Sequence, residues 1–208
     1  MPDSIVVFAP LFWTVLGFVL GAMPFSLWLG RLRLHTDIRD YGDGNPGATN
    51  AWRAGGWPVG LLALLLDYLK GALPVSLAHF KFGVSGWNLV AVALSPILGH
   101  AFSPFLNFRG GKAVAVTFGV WTGLTLGEAP ILLGILLGLF MLVQRTDAWA
   151  VVLGMFGLLA YLILQRGDVF TLSIWGGNML ILLWKHRRDL RRPIRPRVWV
   201  SNLLGRSH

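Results

Sequence analysis

Two long stretches without a formal charge decide what this chain can fold into. Residues 4–30 contain no Asp, Glu, Lys or Arg, and neither do residues 82–108. Crossing the hydrocarbon core of a bilayer takes about 20 predominantly apolar residues, so each stretch is long enough to span. The first is too long for a secretory signal and is preceded by Asp3 instead of Lys or Arg, which predicts a retained helix. With 55% hydrophobic residues and a mean hydropathy of +0.64 over 208 residues, the excess apolar surface has to face lipid.

Polar breaks divide the chain into apolar segments near residues 5–30, 57–80, 86–105, 112–127, 129–144, 148–165 and 169–185. The expectation is an all-α membrane protein, a single domain over 1–208 built as a bundle of about seven transmembrane helices. Gly127-Glu128-Ala129-Pro130 and Gln165-Arg166-Gly167-Asp168 read as the turns of helical hairpins.

The formal charge of +9 and pI near 11.1 would indicate a nucleic-acid partner in a soluble protein, so the placement of the charges matters. Fifteen Lys and Arg fall on one side of the segments (Arg31, Arg33, Arg39, Arg53, Arg109, Lys112, Arg145 and the eight from Lys185 onward). Lys81 and Arg166 fall on the other. That bias predicts an N-terminus outside and a C-terminus in the cytoplasm, with the loops at 31–56 and 106–112 cytoplasmic. The stretch KHRRDLRRPIRPR within 185–208 reads as a basic cytoplasmic tail held by the headgroups of anionic membrane lipids. No aromatic interleaving accompanies it, so no nucleic-acid partner is expected. The chain has no cysteine, which removes disulfides, thiolate nucleophiles and zinc-thiolate sites together.

Two loops on the predicted cytoplasmic side are shaped for anions. Residues 37–53, DIRDYGDGNPGATNAWR, combine Gly42, Gly44 and Gly47 with Asn45, Asn50 and flanking Arg39 and Arg53. Glycines let successive amides converge on an anion, and the arginines add charge-assisted hydrogen bonds. Arg109-Gly110-Gly111-Lys112 precedes an apolar helix, whose free N–H groups and dipole favour negative charge. It is not a Walker loop, because Leu106 stands at the first glycine position and Ala113 replaces the hydroxyl residue that would hold magnesium.

Asp67 and Lys70 lie three apart in an apolar segment and are expected to form a structural ion pair facing the bundle interior. His100 and His186 lie near the proposed loops and either is a candidate base, although no Ser/His/Asp or metal-ligand spacing accompanies them. His35 and Asp40 make an H-x4-D spacing that chance explains in a chain with five His and eight Asp.

Six pieces in order resemble the membrane-embedded glycerol-3-phosphate acyltransferases that use acyl phosphate as donor. They are Gly21-Ala22-Met23-Pro24-Phe25, the loop 42–50 with Arg53, Leu66-Asp67-Tyr68-Leu69-Lys70-Gly71, Gly99-His100, Phe108-Arg109-Gly110-Gly111-Lys112, and His186-Arg187. The resemblance covers almost the whole chain. It implies a seven-helix bundle in the cell inner membrane that transfers a fatty acyl group from acyl phosphate to glycerol 3-phosphate, giving lysophosphatidic acid without a cofactor, a metal or an acyl-enzyme. It assigns catalytic roles to Lys112, Arg53 and His186. Substrate binding falls to Gly44, Asn45, Asn50, Arg109, Gly110, Gly111 and Arg145, with the amides of Gly110 and Gly111 and Lys112 on the acyl-phosphate group. Acyl phosphate, glycerol 3-phosphate and membrane lipids are the expected partners, and a monomer the expected state.

The chain departs from that family pattern at three places. Asp43 replaces a serine, Arg145-Thr146-Asp147-Ala148 stands for R-Y-x-S, and Asp189 replaces the asparagine of H-R-x-N. Carboxylates near a phosphate site cost binding unless each pairs with a neighbouring arginine. Two other readings therefore stand beside the enzyme: a catalytically weak paralogue that binds a phosphorylated lipid or metabolite, and a small organic-phosphate transporter, for which Asp67 and Lys70 would have to line a polar path.

Overall fold

A computed structural model describes residues 3–203. Its elements are α1 (Asp3–Ala22), α2 (Phe25–Leu34), α3 (Ala48–Ser76, continued by a π-turn Leu77–Lys81), α4 (Gly86–Ala101), α5 (Val114–Thr125), α6 (Glu128–Val143), α7 (Asp147–Leu164), α8 (Val169–His186) and α9 (Val198–Leu203). Four helical stretches, Phe8–Leu34, Ala48–Lys81, Gly86–Leu106 and Asp147–Leu164, are long and apolar enough to cross a membrane.

Apolar side chains cover the outside of the bundle as well as its interior. Phe12, Ile131, Ile135, Leu139, Phe156 and Leu180 lie exposed on the outside, while Ile97, Val116, Trp121, Met155, Leu158 and Ile174 fill the interior. Contact between helices therefore depends on close approach, which small residues allow. A Cβ on Gly99 would strike the backbone of Phe18 and Ala22, and one on Gly119 the backbone of Tyr68 and Ala72, so these positions seat α4 on α1 and α5 on α3. Inside, Trp121 donates to Asn178 Oδ1 (3.1 Å), and Asn178 Nδ2 donates to Thr117 Oγ1 (2.9 Å), tying α5 to α8.

Each expected apolar segment carries helix, but three boundaries move. The first segment is broken at Met23-Pro24, because proline cannot continue the backbone ladder. The carbonyls released there need partners in apolar surroundings. Ser103 Oγ donates to the Ala22 carbonyl (2.5 Å), and Lys70 Nζ donates to that of Met23 (3.2 Å). The glycine-rich loop ends earlier than expected: helix begins at Ala48 and kinks at Gly56, whose φ of 71° only glycine adopts easily. Finally, α5 begins at Val114, not 112. Gly110 is pressed against the His100 carbonyl and the Ala101 backbone, and Lys185 Nζ donates to the carbonyls of both Gly110 (2.7 Å) and Ala101 (2.8 Å), which holds the segment before α5 in place.

The helices run back and forth between two ends. One end gathers the loops around Asp43, Lys112, Arg145 and Asp189, joined by ion pairs and backbone hydrogen bonds. At the other, Tyr161 donates to Glu128 (2.8 Å) and Trp87 packs edge-on against Phe170.

The expected Asp67–Lys70 pair is present at 2.8 Å, with both side chains almost fully buried. Ser26 Oγ donates to the second oxygen of Asp67 (2.7 Å). Stranding one charge in this setting costs about 3 to 5 kcal/mol. Asp67→Ala should therefore lower thermal stability more than the joint replacement of Asp67 and Lys70 by Ala. Additive losses in that double-mutant cycle would show that the two side chains act independently.

Candidate active site

The first anion loop is shaped by its own side chains. Gly42 takes a φ of 59°, and a Cβ there would collide with Asn50 Oδ1 and Arg53 Nη1. Asn50, buried, donates to Asp43 Oδ1 (2.9 Å) and to the Asn45 carbonyl (3.0 Å), and its own oxygen accepts from Arg53 Nη1 (3.2 Å). The Asn45 amide also donates to Asp43 Oδ1 (3.2 Å). The loop thus presents Asp43 and Arg53 on one rim.

Lys112 reaches this rim from the second loop. Its Nζ lies 2.7 Å from Asp43 Oδ2 and 2.5 Å from Asp189 Oδ2, so one ammonium joins the first loop, the head of α5 and the chain after α8. Burial, which disfavours both charges, is outweighed by the pairing: the Asp43 carboxyl is held below its ordinary pKa and the Lys112 ammonium above its own. Asp43 and Lys112 thus stay ionised as a pair at neutral pH. The partner of the two unexpected carboxylates is therefore Lys112, not an arginine.

These groups edge a cavity of about 650 Å³. Its polar end holds Asp43, Asn45, Arg53, Lys112, Arg145, Asp147, His186, Asp189 and Arg192; its floor holds Asp67 and His100; and its apolar side is lined by Leu61, Leu64, Leu65, Tyr68, Phe118, Met141 and Val151. The leucines of α3 are partly exposed, so the slot opens toward the outside of the bundle. His186 is buried with Nδ1 2.9 Å from the Leu182 carbonyl. That carbonyl can only accept, so Nδ1 carries the proton and Nε2 is left as an acceptor.

Of the residues singled out from the sequence, the structure brings Lys112, Arg53, His186, Asn45 and Arg145 to this cavity. Gly44, Asn50, Arg109, Gly110 and Gly111 do not line it. Asn50 braces the loop, as described, and Gly44 contributes a turn at φ 72°. Arg109 is exposed, with its amide donating to the Leu106 carbonyl (2.9 Å). The Gly111 amide, expected to face an anion, donates to the His100 carbonyl at 3.0 Å. Lining falls instead to Ala113, Val114 and Ala115 at the start of α5, with Ala113 in the left-handed region at φ 63°. Helix starts leave N–H groups without intrahelical partners, so amides of this kind border the cavity here, where the glycine amides do not. Asp147 lines the cavity, in keeping with its place among the carboxylates expected near a phosphate site, whereas Arg192 was not singled out from the sequence. Arg192 was hidden in a run of arginines.

A polar end where four cations outnumber three carboxylates, with a histidine acceptor and a helix start, continuous with an apolar slot, suits a membrane protein that handles an anionic head and an acyl chain together. The family profile described as glycerol-3-phosphate acyltransferase matches residues 11–195, and the chain belongs to that family. Glycerol-3-phosphate acyltransferase 1 of Thermotoga maritima is 39% identical over 195 residues, covering 87% of this chain and 96% of that protein. A glycerol-3-phosphate acyltransferase of Listeria monocytogenes is 34% identical over 182 residues, covering 86% and 90%. The crystal structure of PlsY (YgiH), an integral membrane glycerol 3-phosphate acyltransferase, superimposes in its glycerol 3-phosphate form with a TM-score of 0.80 at 28% identity, covering 96% of this chain and 94% of that one. Its lysophosphatidic acid form gives 0.78 at the same identity. This chain is an acyltransferase of that class and a membrane protein.

With Asp189 competing for Lys112, Asp189→Asn should tighten inhibition by inorganic phosphate roughly fivefold, the equivalent of about 1 kcal/mol. Weaker inhibition would show that Asp189 holds Lys112 in the orientation an anion needs.

Proposed function

We propose that the protein transfers a fatty acyl group from acyl phosphate to glycerol 3-phosphate, releasing lysophosphatidic acid and inorganic phosphate at the cytoplasmic face of the bacterial inner membrane. The observation that carries this reading is Lys112 at the head of α5, set in a cavity that joins a cationic end to an apolar slot. An acyl phosphate has that shape: a doubly charged head on a hydrocarbon chain.

In this reading the phosphate of the donor lies between Lys112 and the free amides at the start of α5, and the chain runs along Leu61, Leu65 and Phe118. Arg53 and Arg145 hold the phosphate of the acceptor. His186 Nε2 accepts a hydrogen bond from a glycerol hydroxyl and turns its oxygen toward the carbonyl. Attack forms the new ester C–O bond and breaks the C–O bond to phosphate, and the hydroxyl proton passes to a phosphate oxygen. Because the donor is already activated, the protein's contribution is placement and stabilisation of charge on the departing phosphate.

The same reading takes the helices as seven crossings, with α1 and α2 forming one broken crossing, the N-terminus outside and the C-terminus cytoplasmic. All of 1–208 forms one membrane domain that works as a monomer. The end of the bundle that bears the cavity is also the end where most Lys and Arg lie, which supports that orientation. A transporter would need a polar route past the cavity floor. There, among the described residues, Asp67 is already neutralised by Lys70.

Lys112→Ala should lower acyl transfer about thirty- to a thousandfold, a loss of roughly 2 to 4 kcal/mol of transition-state stabilisation, while the protein still inserts and purifies. Lys112→Arg separates a phosphate contact from an interfacial anchor, because an anchor is filled by arginine about as well. Near-normal turnover by the Ala variant of an active parent would remove Lys112 from the reaction.

A further inference from the structure

The sequence reads the chain beyond Lys185 as a basic tail lying on lipid headgroups, yet the described part of it is docked on the protein. After α8 the chain makes a short turn, Asp189–Arg191, and then runs across the connection between α6 and α7. The Arg145 amide donates to the Arg195 carbonyl (2.9 Å), and the Arg197 amide donates to the Val143 carbonyl (2.9 Å). Gln144 and Pro196 face each other as an isolated antiparallel bridge. Three side chains fasten the crossing: Arg197 Nε donates to the Met141 carbonyl (2.6 Å), Trp199 Nε1 to the Leu142 carbonyl (2.9 Å), and Trp149 Nε1 to the Arg192 carbonyl (2.9 Å).

A tail held by headgroups needs none of these bonds, since polybasic attraction to lipid is diffuse and sets no register. This segment has a register. At its start, Asp189 grips Lys112, and Arg192 lines the same cavity as Arg145. Among the described residues neither guanidinium of this pair forms an ion pair. Two guanidinium groups free of ion pairs that line one cavity, one anchored by the Arg145–Arg195 backbone bond and the other by Trp149 on the Arg192 carbonyl, suit a phosphate, whose oxygens accept charge-assisted hydrogen bonds from both.

We propose that residues 189–201 form a strap that completes the substrate site: Arg192 binds the phosphate of glycerol 3-phosphate together with Arg145, and Arg197 is the positioning residue that fastens both. This inference rests on the acyltransferase reading given above. It also accounts for how a site containing Asp43, Asp147 and Asp189 still takes a phosphate, because Arg192 adds a cation that is not neutralised by Lys112's partners.

The test uses the full-length protein reconstituted in phosphatidylcholine vesicles with and without phosphatidylglycerol, measuring KM for glycerol 3-phosphate at saturating acyl phosphate. Arg192→Ala should raise KM roughly tenfold, as expected for a lost charge-assisted contact, with kcat changed by less than about twofold. Arg192→Lys should recover part of the loss, and Arg197→Ala should raise KM in the same direction by a smaller factor. Arg188→Ala, which removes an exposed charge from the same run, should leave KM unchanged. None of these effects should depend on phosphatidylglycerol. An unchanged KM in Arg192→Ala overturns the proposal, as do equal effects of Arg188→Ala and Arg192→Ala that follow the anionic lipid content. An unchanged KM in Arg197→Ala overturns the fastening role. If the parent protein transfers no acyl group, it is the acyltransferase reading that fails. Arg192 is then judged by direct binding of inorganic phosphate, which Arg192→Ala must weaken.

Discussion

The break at Met23-Pro24 is the constraint around which the rest of the bundle is arranged. A helix interrupted inside apolar surroundings releases carbonyls that water cannot reach, and each has to be satisfied from another part of the chain. Ser103, after α4, takes the Ala22 carbonyl, and Lys70 of α3 takes that of Met23. Lys70 is tolerable there because Asp67 neutralises it, and Asp67 is in turn held by Ser26 just past the break. His100 of α4 stands 4.0 Å from the same carboxylate. One polar node thus ties three parts of the bundle together, and Asp67 and His100 also form the cavity floor. Stability and site share residues at that point.

Above the floor, the site is a meeting of chain segments that are far apart in sequence. Lys112 joins Asp43 and Asp189. Lys185 holds the carbonyls of Ala101 and Gly110, which ties down the segment that leads into α5 at Val114. The start of α5, Ala113 to Ala115, borders the cavity, while the Gly111 amide is spent on the His100 carbonyl. Charges are matched inside the cluster first, so a substrate phosphate has to compete with carboxylates for Lys112, whereas Arg53, Arg145 and Arg192, which line the same cavity, form no ion pair among the described residues.

Much of this was legible in the sequence because apolar runs and isolated charges have few physical solutions. Uncharged runs had to become helices facing lipid, and Asp67 and Lys70 at a spacing of three in an apolar helix had to neutralise each other. Asn45, Arg53 and Lys112 stood out in two glycine-rich loops shaped for anions and His186 as a candidate base beside them, whereas their roles, and Arg145 altogether, came from the resemblance to the acyltransferase family. What was not legible depended on contacts across the fold. No local pattern says that Gly111 will be claimed by His100, that Asn50 will brace a loop and stay off the cavity wall, or that Lys112 will serve as the partner of both extra carboxylates. Arg192 looked like its neighbours, because a run of arginines carries no periodicity; only the docking of the strap distinguishes it.

The most direct test of the account is the stoichiometry of the reaction in purified, reconstituted protein given acyl phosphate and glycerol 3-phosphate. Lysophosphatidic acid and inorganic phosphate should appear in equal amounts, with no need for an added metal ion. Phosphate release without lysophosphatidic acid, or transfer from an acyl thioester but not from acyl phosphate, would contradict it.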